Sequence, residues 1–122
     1  MPVTYRFDSN IVIIEMAGEY SLSDIRNSIL TSLADSTCPS SPFILVNLSE
    51  SRSIYTRSSE DIKSMVRSLA SLVERFNNRI AFVTPNDLLY GLMRMGSVFS
   101  EDKGMKTQVF RSFEDARKWL LS

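Results

Sequence analysis

Three runs of apolar residues restrict this chain more than any other feature. Ile11-Val12-Ile13-Ile14 has no polar break, Phe43 to Leu48 is interrupted only by Asn47, and Arg79 to Thr84 encloses Ile80-Ala81-Phe82-Val83. A strand of that composition has no face to give to water, so it belongs in a sheet covered on both sides. Such sheets are largely parallel, and parallel neighbours need crossover connections, usually helices. The three runs are therefore expected at the centre of a mainly parallel sheet.

The segments between the runs have helical period. Ser21 to about Asp35 places Leu22, Ile25, Ile29 and Leu33 on one stripe. Ser58 to Asn77 does the same with Ile62, Met65, Val66, Leu69, Leu72, Val73 and Phe76, and Pro85 to about Ser100 with Leu88, Leu92, Met95 and Phe99. Phe113 to Leu121 predicts a last helix. Ser21-x-x-Asp24, Ser58-x-x-Asp61, Thr84-x-x-Asp87 and Ser112-x-x-Asp115 each set a hydroxyl at the N-cap and a carboxylate in the first turn. The hydroxyl satisfies an orphan backbone N–H, and the carboxylate answers the positive end of the helix dipole.

Two further strands read differently. Val3, Tyr5 and Phe7 alternate with Thr4, Arg6 and Asp8, the pattern of an edge strand with one wet face. Asp8-Ser9-Asn10 is turn chemistry and predicts a hairpin with the strand after it. Thr107 to Arg111 is a short, half-polar strand, expected at the other edge. Ser36 to Pro42 is the one clear loop, and Ser49 to Arg57 reads as a polar connection. The order is β-β-α-β-α-β-α-β-α: an α/β fold with a mainly parallel five-stranded sheet, an antiparallel edge hairpin and four helices, as a single domain over residues 1–122.

Composition narrows the function. Fourteen basic and fourteen acidic side chains cancel, so no large field draws the chain to nucleic acid or an anionic membrane. No apolar run approaches the roughly 20 residues of a transmembrane helix, and the first residues lack the pattern of a secretory signal. With Cys38 as the only cysteine, no internal disulfide forms, which fits a reducing, cytoplasmic setting. Histidine is absent. That removes Ser-His-Asp and Cys-His nucleophile pairs and the usual general base near neutral pH. Zinc, haem and iron–sulfur ligation are not expected either, so the expectation is no cofactor, no metal and no catalysis.

Arg79-Ile-Ala-Phe-Val-Thr-Pro-Asn-Asp-Leu-Leu-Tyr-Gly-Leu-Met-Arg-Met, with Gln108-Val-Phe-Arg-Ser-Phe-Glu-Asp-Ala-Arg-Lys-Trp-Leu, resembles the C-terminal half of small bacterial SpoIIAA-like proteins. These are relatives of the STAS domains of sulfate transporters and anti-sigma-factor antagonists. The resemblance covers almost the whole chain. It implies the STAS-like fold, shared with CRAL-TRIO lipid-binding domains, and no particular biochemical activity. In the antagonists a serine opening the helix after the third strand is phosphorylated. Ser58 or Ser59 holds that place here, in Thr56-Arg57-Ser58-Ser59-Glu60-Asp61 rather than Asp-Ser-Ser-Gly, and Asn47 stands where an aspartate usually ends the preceding strand. Arg52 and Arg57 could offset a phosphate on Ser58.

Ligands of open parallel sheets sit beyond the carboxyl ends of the strands. Here those ends offer Glu15 to Glu19, Asn47 to Arg52 and Thr84 to Asp87, and a pocket there would be lined partly by Tyr90 and Arg94. Tyr90 and Arg94 share a helix face at i, i+4. Gly91 between them costs about 1 kcal/mol against alanine unless another element packs closely there. Asn47, Arg52, Tyr90 and Arg94 are thus the candidate binding residues, with Ser58 a candidate phosphosite. Two readings follow. The first is a non-enzymatic binding or regulatory domain with a protein partner or a homodimer, for which the small-residue stripe Ser64, Ser68 and Ser71 is one route. The second is a carrier of a small amphipathic or lipid-like ligand near Tyr90 and Arg94.

Overall fold

A computed structural model describes residues 3–18, 22–51, 67, 71, 79–84, 91 and 106–122. Val3–Asp8 forms β1 and Ile11–Gly18 forms β2. They pair antiparallel with Asp8 opposite Ile11, so Ser9 and Asn10 alone make the turn. Ser9 takes φ 54°, the left-handed value that hairpin turns of this length require. Leu22–Ala34 is helix α1, Phe43–Ser51 is β3, Arg79–Val83 is β4, Lys106–Phe110 is β5 and Phe113–Leu121 is helix α2. The sheet order is β1-β2-β3-β4-β5, with β2 to β5 parallel. The expected mixed sheet is therefore present, with the apolar runs central and the two alternating strands at its edges.

Two helices are described where four were expected. The spans 58–77 and 85–100 lie outside the described residues, apart from Arg67, Ser71 and Gly91. Arg67 and Gly91 have helical backbone, and the Ser71 N–H donates to the Arg67 carbonyl at 3.2 Å, an i to i−4 bond.

Alternation sorts the sheet into two faces. Val12, Ile14, Ile44, Val46, Ile80, Phe82 and Val109 share one face, which also carries Tyr5 and Phe7 of β1. Helix α1 packs against β1 and β2, and its end meets Tyr5 on this face. In α1, Ile29 and Ser32 are buried, and the Ser32 hydroxyl donates to the Ile29 carbonyl at 2.8 Å, so burying it leaves no donor unmet. The opposite face presents Ile11, Ile13, Leu45, Ala81 and Val83 to Ala116 and Leu120 of α2. Phe43, Phe110, Phe113 and Trp119 close the margin of this second layer. All four residues of the Ile11–Ile14 run are fully buried, as a strand covered on both sides requires.

The Ser112 cap is present as expected. Ser112 is extended (φ −124°, ψ 136°) and its hydroxyl accepts the Asp115 N–H at 3.3 Å. At nine residues, α2 is shorter than the roughly 12–15 that an isolated helix needs in water, so its order comes from packing. Several boundaries move, and β2 for one continues past Ile14 to Gly18. β3 runs on to Ser51, through residues expected to be a connection, because Ala17 and Gly18 of β2 pair with Glu50 and Ser51. That pairing is a main-chain ladder and does not need apolar side chains. β5 begins at Lys106, one residue early, because Lys106 lies opposite Arg79 at the start of β4.

The polar face of β1 is also less wet than the alternation implies. Asp8 accepts a hydrogen bond from Arg117 Nε of α2 at 3.0 Å, and the Arg6 guanidinium lies 5.8 Å from the centre of the Phe113 ring. Asn10 completes the corner: its main-chain oxygen accepts from the Phe43 N–H at 2.8 Å, and its side-chain amide donates to the Ser41 carbonyl at 3.2 Å. The hairpin turn thus fixes where β3 begins.

Candidate functional site

The carboxyl ends of β2 to β5 form one rim of the sheet. Glu15 lies opposite Asn47, Asn47 opposite Val83, and Val83 opposite Phe110. Asn47 follows Leu45 by two residues, so it points to the face that α2 covers. Because α2 begins just after β5, its first turn stands at the same rim. Asn47 therefore sits where the apolar run ends and the core gives way to solvent; it is half-buried.

Immediately beyond Asn47 the register breaks. Glu15 pairs with Asn47 but Ala17 pairs with Glu50, so β3 carries one extra residue between these pairs. Bulges of this kind bend the strand and re-aim side chains. Below the bulge, the Arg6 Nε donates to Glu15 Oε1 at 2.9 Å, with both side chains about half exposed (53% and 43%). The rim on the α2 side is thus a cation stacked on an aromatic ring, a carboxylate that binds the cation, and an amide on the next strand. The strands follow one another across the sheet in chain order, so among the described strands there is no reversal of the kind that opens a crevice in other parallel sheets.

Of the residues singled out from the sequence, Asn47 is placed on this rim beside Glu15. Arg52, Ser58, Tyr90 and Arg94 lie outside the described residues. Gly91 is described, and it overturns the packing explanation offered for it. Its position is exposed, and a Cβ built there meets nothing among the described residues within 4 Å. Arg6 and Phe113 were not anticipated. The signal for Arg6 lay in the hairpin: a two-residue turn at Ser9-Asn10 sets Thr4 opposite Glu15, which brings Arg6 to Glu15 on the diagonal.

A second polar cluster lies on the other face, where α1 ends. Asp35 Oδ1 accepts from the Thr37 N–H at 2.9 Å and the Thr37 hydroxyl at 2.7 Å, while Oδ2 accepts from the Tyr5 hydroxyl at 2.7 Å. These bonds, led by the Thr37 N–H, hold the Asp35 carboxyl below its ordinary value. The same contact pushes the Tyr5 hydroxyl up, and burial followed by the charge of Asp35 pushes the Cys38 thiol up. The bonds to Asp35 tie Tyr5 of β1 to the chain just after α1, so this cluster works as a clamp between β1 and the end of α1. Asp8 is likewise held low, chiefly by its bond from Arg117.

Arg79 has a comparable structural task. Its guanidinium lies 5.8 Å from the Phe43 ring centre and 5.6 Å from that of Trp119. It donates to the main-chain oxygens of Trp119 and Ser122, each at 3.2 Å. A cation at these oxygens answers the negative end of the α2 dipole.

Compared with models of protein families, the chain matches none. A search of curated proteins likewise finds no match. Among solved structures, the chain is similar to an uncharacterized protein from the DUF3478 family with a SpoIIAA-like fold, from Shewanella loihica PV-4. The TM-score is 0.62 and the identity 15%, over 97% of this chain and 91% of that one. The fold is SpoIIAA-like, as the sequence resemblance implies.

Proposed function

We propose that this chain is a non-enzymatic binding or regulatory domain that acts through a protein partner or through self-association. The observation that carries the reading is the rim at the ends of β2 and β3. There Arg6 lies over Phe113 and pairs with Glu15, and Glu15 in turn has Asn47 opposite it on β3. Arginine and aromatic side chains are enriched where proteins meet, and a part-exposed polar row beside a ring suits such a contact. The STAS-like resemblance supports the same reading.

The test compares the wild-type chain with Asn47→Arg in sedimentation equilibrium and in affinity capture. Asn47→Arg is expected to abolish capture of the protein partner, with circular dichroism confirming that the variant is folded. A wild-type chain that stays strictly monomeric and retains no protein specifically would overturn the reading. The runner-up, a carrier of a small amphipathic ligand near Tyr90 and Arg94, draws support from Gly91, which is exposed and whose Cβ position meets nothing among the described residues within 4 Å. Native mass spectrometry of the purified chain checks it: a mass equal to the bare polypeptide counts against a carrier.

A further inference from the structure

We infer that the outer edge of β1 is a homodimerisation edge, on which a second copy of this chain adds its own β1 antiparallel. The inference rests on the self-association half of the reading above and names its surface. It starts from hydrogen-bond phase. In a hairpin closed by a two-residue turn, the flanking residues form a hydrogen-bonded pair, and such pairs then alternate along the ladder. Asp8 and Ile11 flank the turn, so Asp8, Arg6 and Thr4 direct their main-chain groups toward β2. Val3, Tyr5 and Phe7 direct theirs outward, where no further strand lies among the described residues.

Two copies of that edge can pair about a two-fold axis with Tyr5 opposite Tyr5 and Val3 opposite Phe7. In this register every outward-directed residue meets another, and each such pair exchanges two main-chain hydrogen bonds. Tyr5 and Phe7 are half-buried and their ring centres are 5.7 Å apart, so each copy brings a preformed aromatic pair to the axis. Aromatic side chains facing across strands add to pairing.

Charge selects among registers. With Tyr5 on the axis, the exposed Arg6 of each copy lies opposite the exposed Thr4 of the other, and beyond Thr4 stands Glu15 of that same copy. Sliding the pair by one pleat, to centre it on Arg6, would put the two arginines face to face, which is unfavourable. The far edge of the sheet contrasts with this one. β5 has five residues and is bracketed by exposed Lys106 and Arg111, the charged pattern that discourages edge pairing. On β1 the single cation, Arg6, is already bound to Glu15.

The register gives a specific test. Thr4 and Arg6 of the two copies form a non-hydrogen-bonded pair, with Cα atoms about 4.5 Å apart, within the range a disulfide spans. In a Cys38→Ser background, T4C and R6C proteins are prepared separately, their folding is checked by circular dichroism, and they are oxidised alone and mixed. The expected result is a disulfide-linked dimer in the mixture, at least tenfold more abundant than from either protein alone. Sedimentation equilibrium of the wild-type chain accompanies it. A dimer by sedimentation with no excess of the mixed disulfide would overturn the β1 edge and leave self-association standing through another surface. A strict monomer would overturn both, leaving only the protein-partner half of the broader reading.

Discussion

Leu120→Ala tests the idea that α2 belongs to the cooperative core. Leu120 is fully buried, in the cluster formed by Ile11, Ile13, Leu45, Ala81, Val83 and Ala116. Truncation to alanine removes three carbons, worth about 2.4 kcal/mol at roughly 0.8 kcal/mol each. The incompletely filled cavity raises the loss to about 3 kcal/mol, within the roughly 2–5 kcal/mol range for such sites. For 122 residues the unfolding entropy is about 0.26 kcal/mol per degree, so the midpoint should fall by about 12 °C. The chain's one tryptophan, Trp119, lies in α2 against Phe110, so its fluorescence reports this helix while far-UV circular dichroism reports the whole fold. In urea the two signals should move together, and both midpoints should drop. Leu121→Ala, at an exposed position, should cost under about 0.5 kcal/mol. A Leu120→Ala loss below about 1 kcal/mol, or a Trp119 transition well ahead of the dichroism, would refute the reasoning and make α2 a loosely attached appendage.

Three further outcomes follow from single residues. Gly91→Ala should stabilise the chain by about 1 kcal/mol, because the site is helical, exposed and open to a Cβ; chemical denaturation measures it, and destabilisation would show that something packs there. Thr107→Val should be neutral or stabilising by about 1 kcal/mol, because the buried Thr107 hydroxyl has no hydrogen-bond partner among the described residues, and a clear loss of stability in the same assay would reveal one. Asp8 and Asp35 both have folded-state pKa values below their ordinary 3.8. Their contribution is therefore complete above that value and lost as pH falls through the lower, folded one. Asp8→Asn should flatten the acid side of a stability–pH profile, and an unchanged profile would show that the Asp8–Arg117 pair contributes nothing there.

The parts of the fold that burial dictates were legible in the sequence. Ile11–Ile14, Phe43–Val46 and Ile80–Val83 could only be central strands, and the Ser112 cap and the Ser9–Asn10 turn are local chemistry written in adjacent residues. What the sequence left obscure depends on partners far away. Nothing in Ser49-Glu50-Ser51 signals a strand, since the pairing comes from the backbone of Ala17 and Gly18. Asp8 looks like turn chemistry until Arg117, 109 residues later, is placed beside it. The position of Asn47 followed from its place at the end of an apolar run, but bringing Arg6 to Glu15, the residue opposite Asn47, required the hairpin register. Gly91 misled because a glycine inside a helix suggests a close neighbour, and its position is open.

The strand order has a consequence for biosynthesis. Because β1 to β5 lie side by side in the order in which they are made, each strand can join the growing edge of those already emerged from the ribosome, without waiting for a later segment to be inserted between them. The exception is α2. It reaches back across the sheet to Asp8, so the β1–β2 hairpin is secured by a residue made 109 positions later. Until α2 emerges, the Ile11, Ile13 and Leu45 surface lacks the Ala116 and Leu120 side chains that pack on it, and exposed apolar surface of this kind makes a nascent chain prone to aggregate.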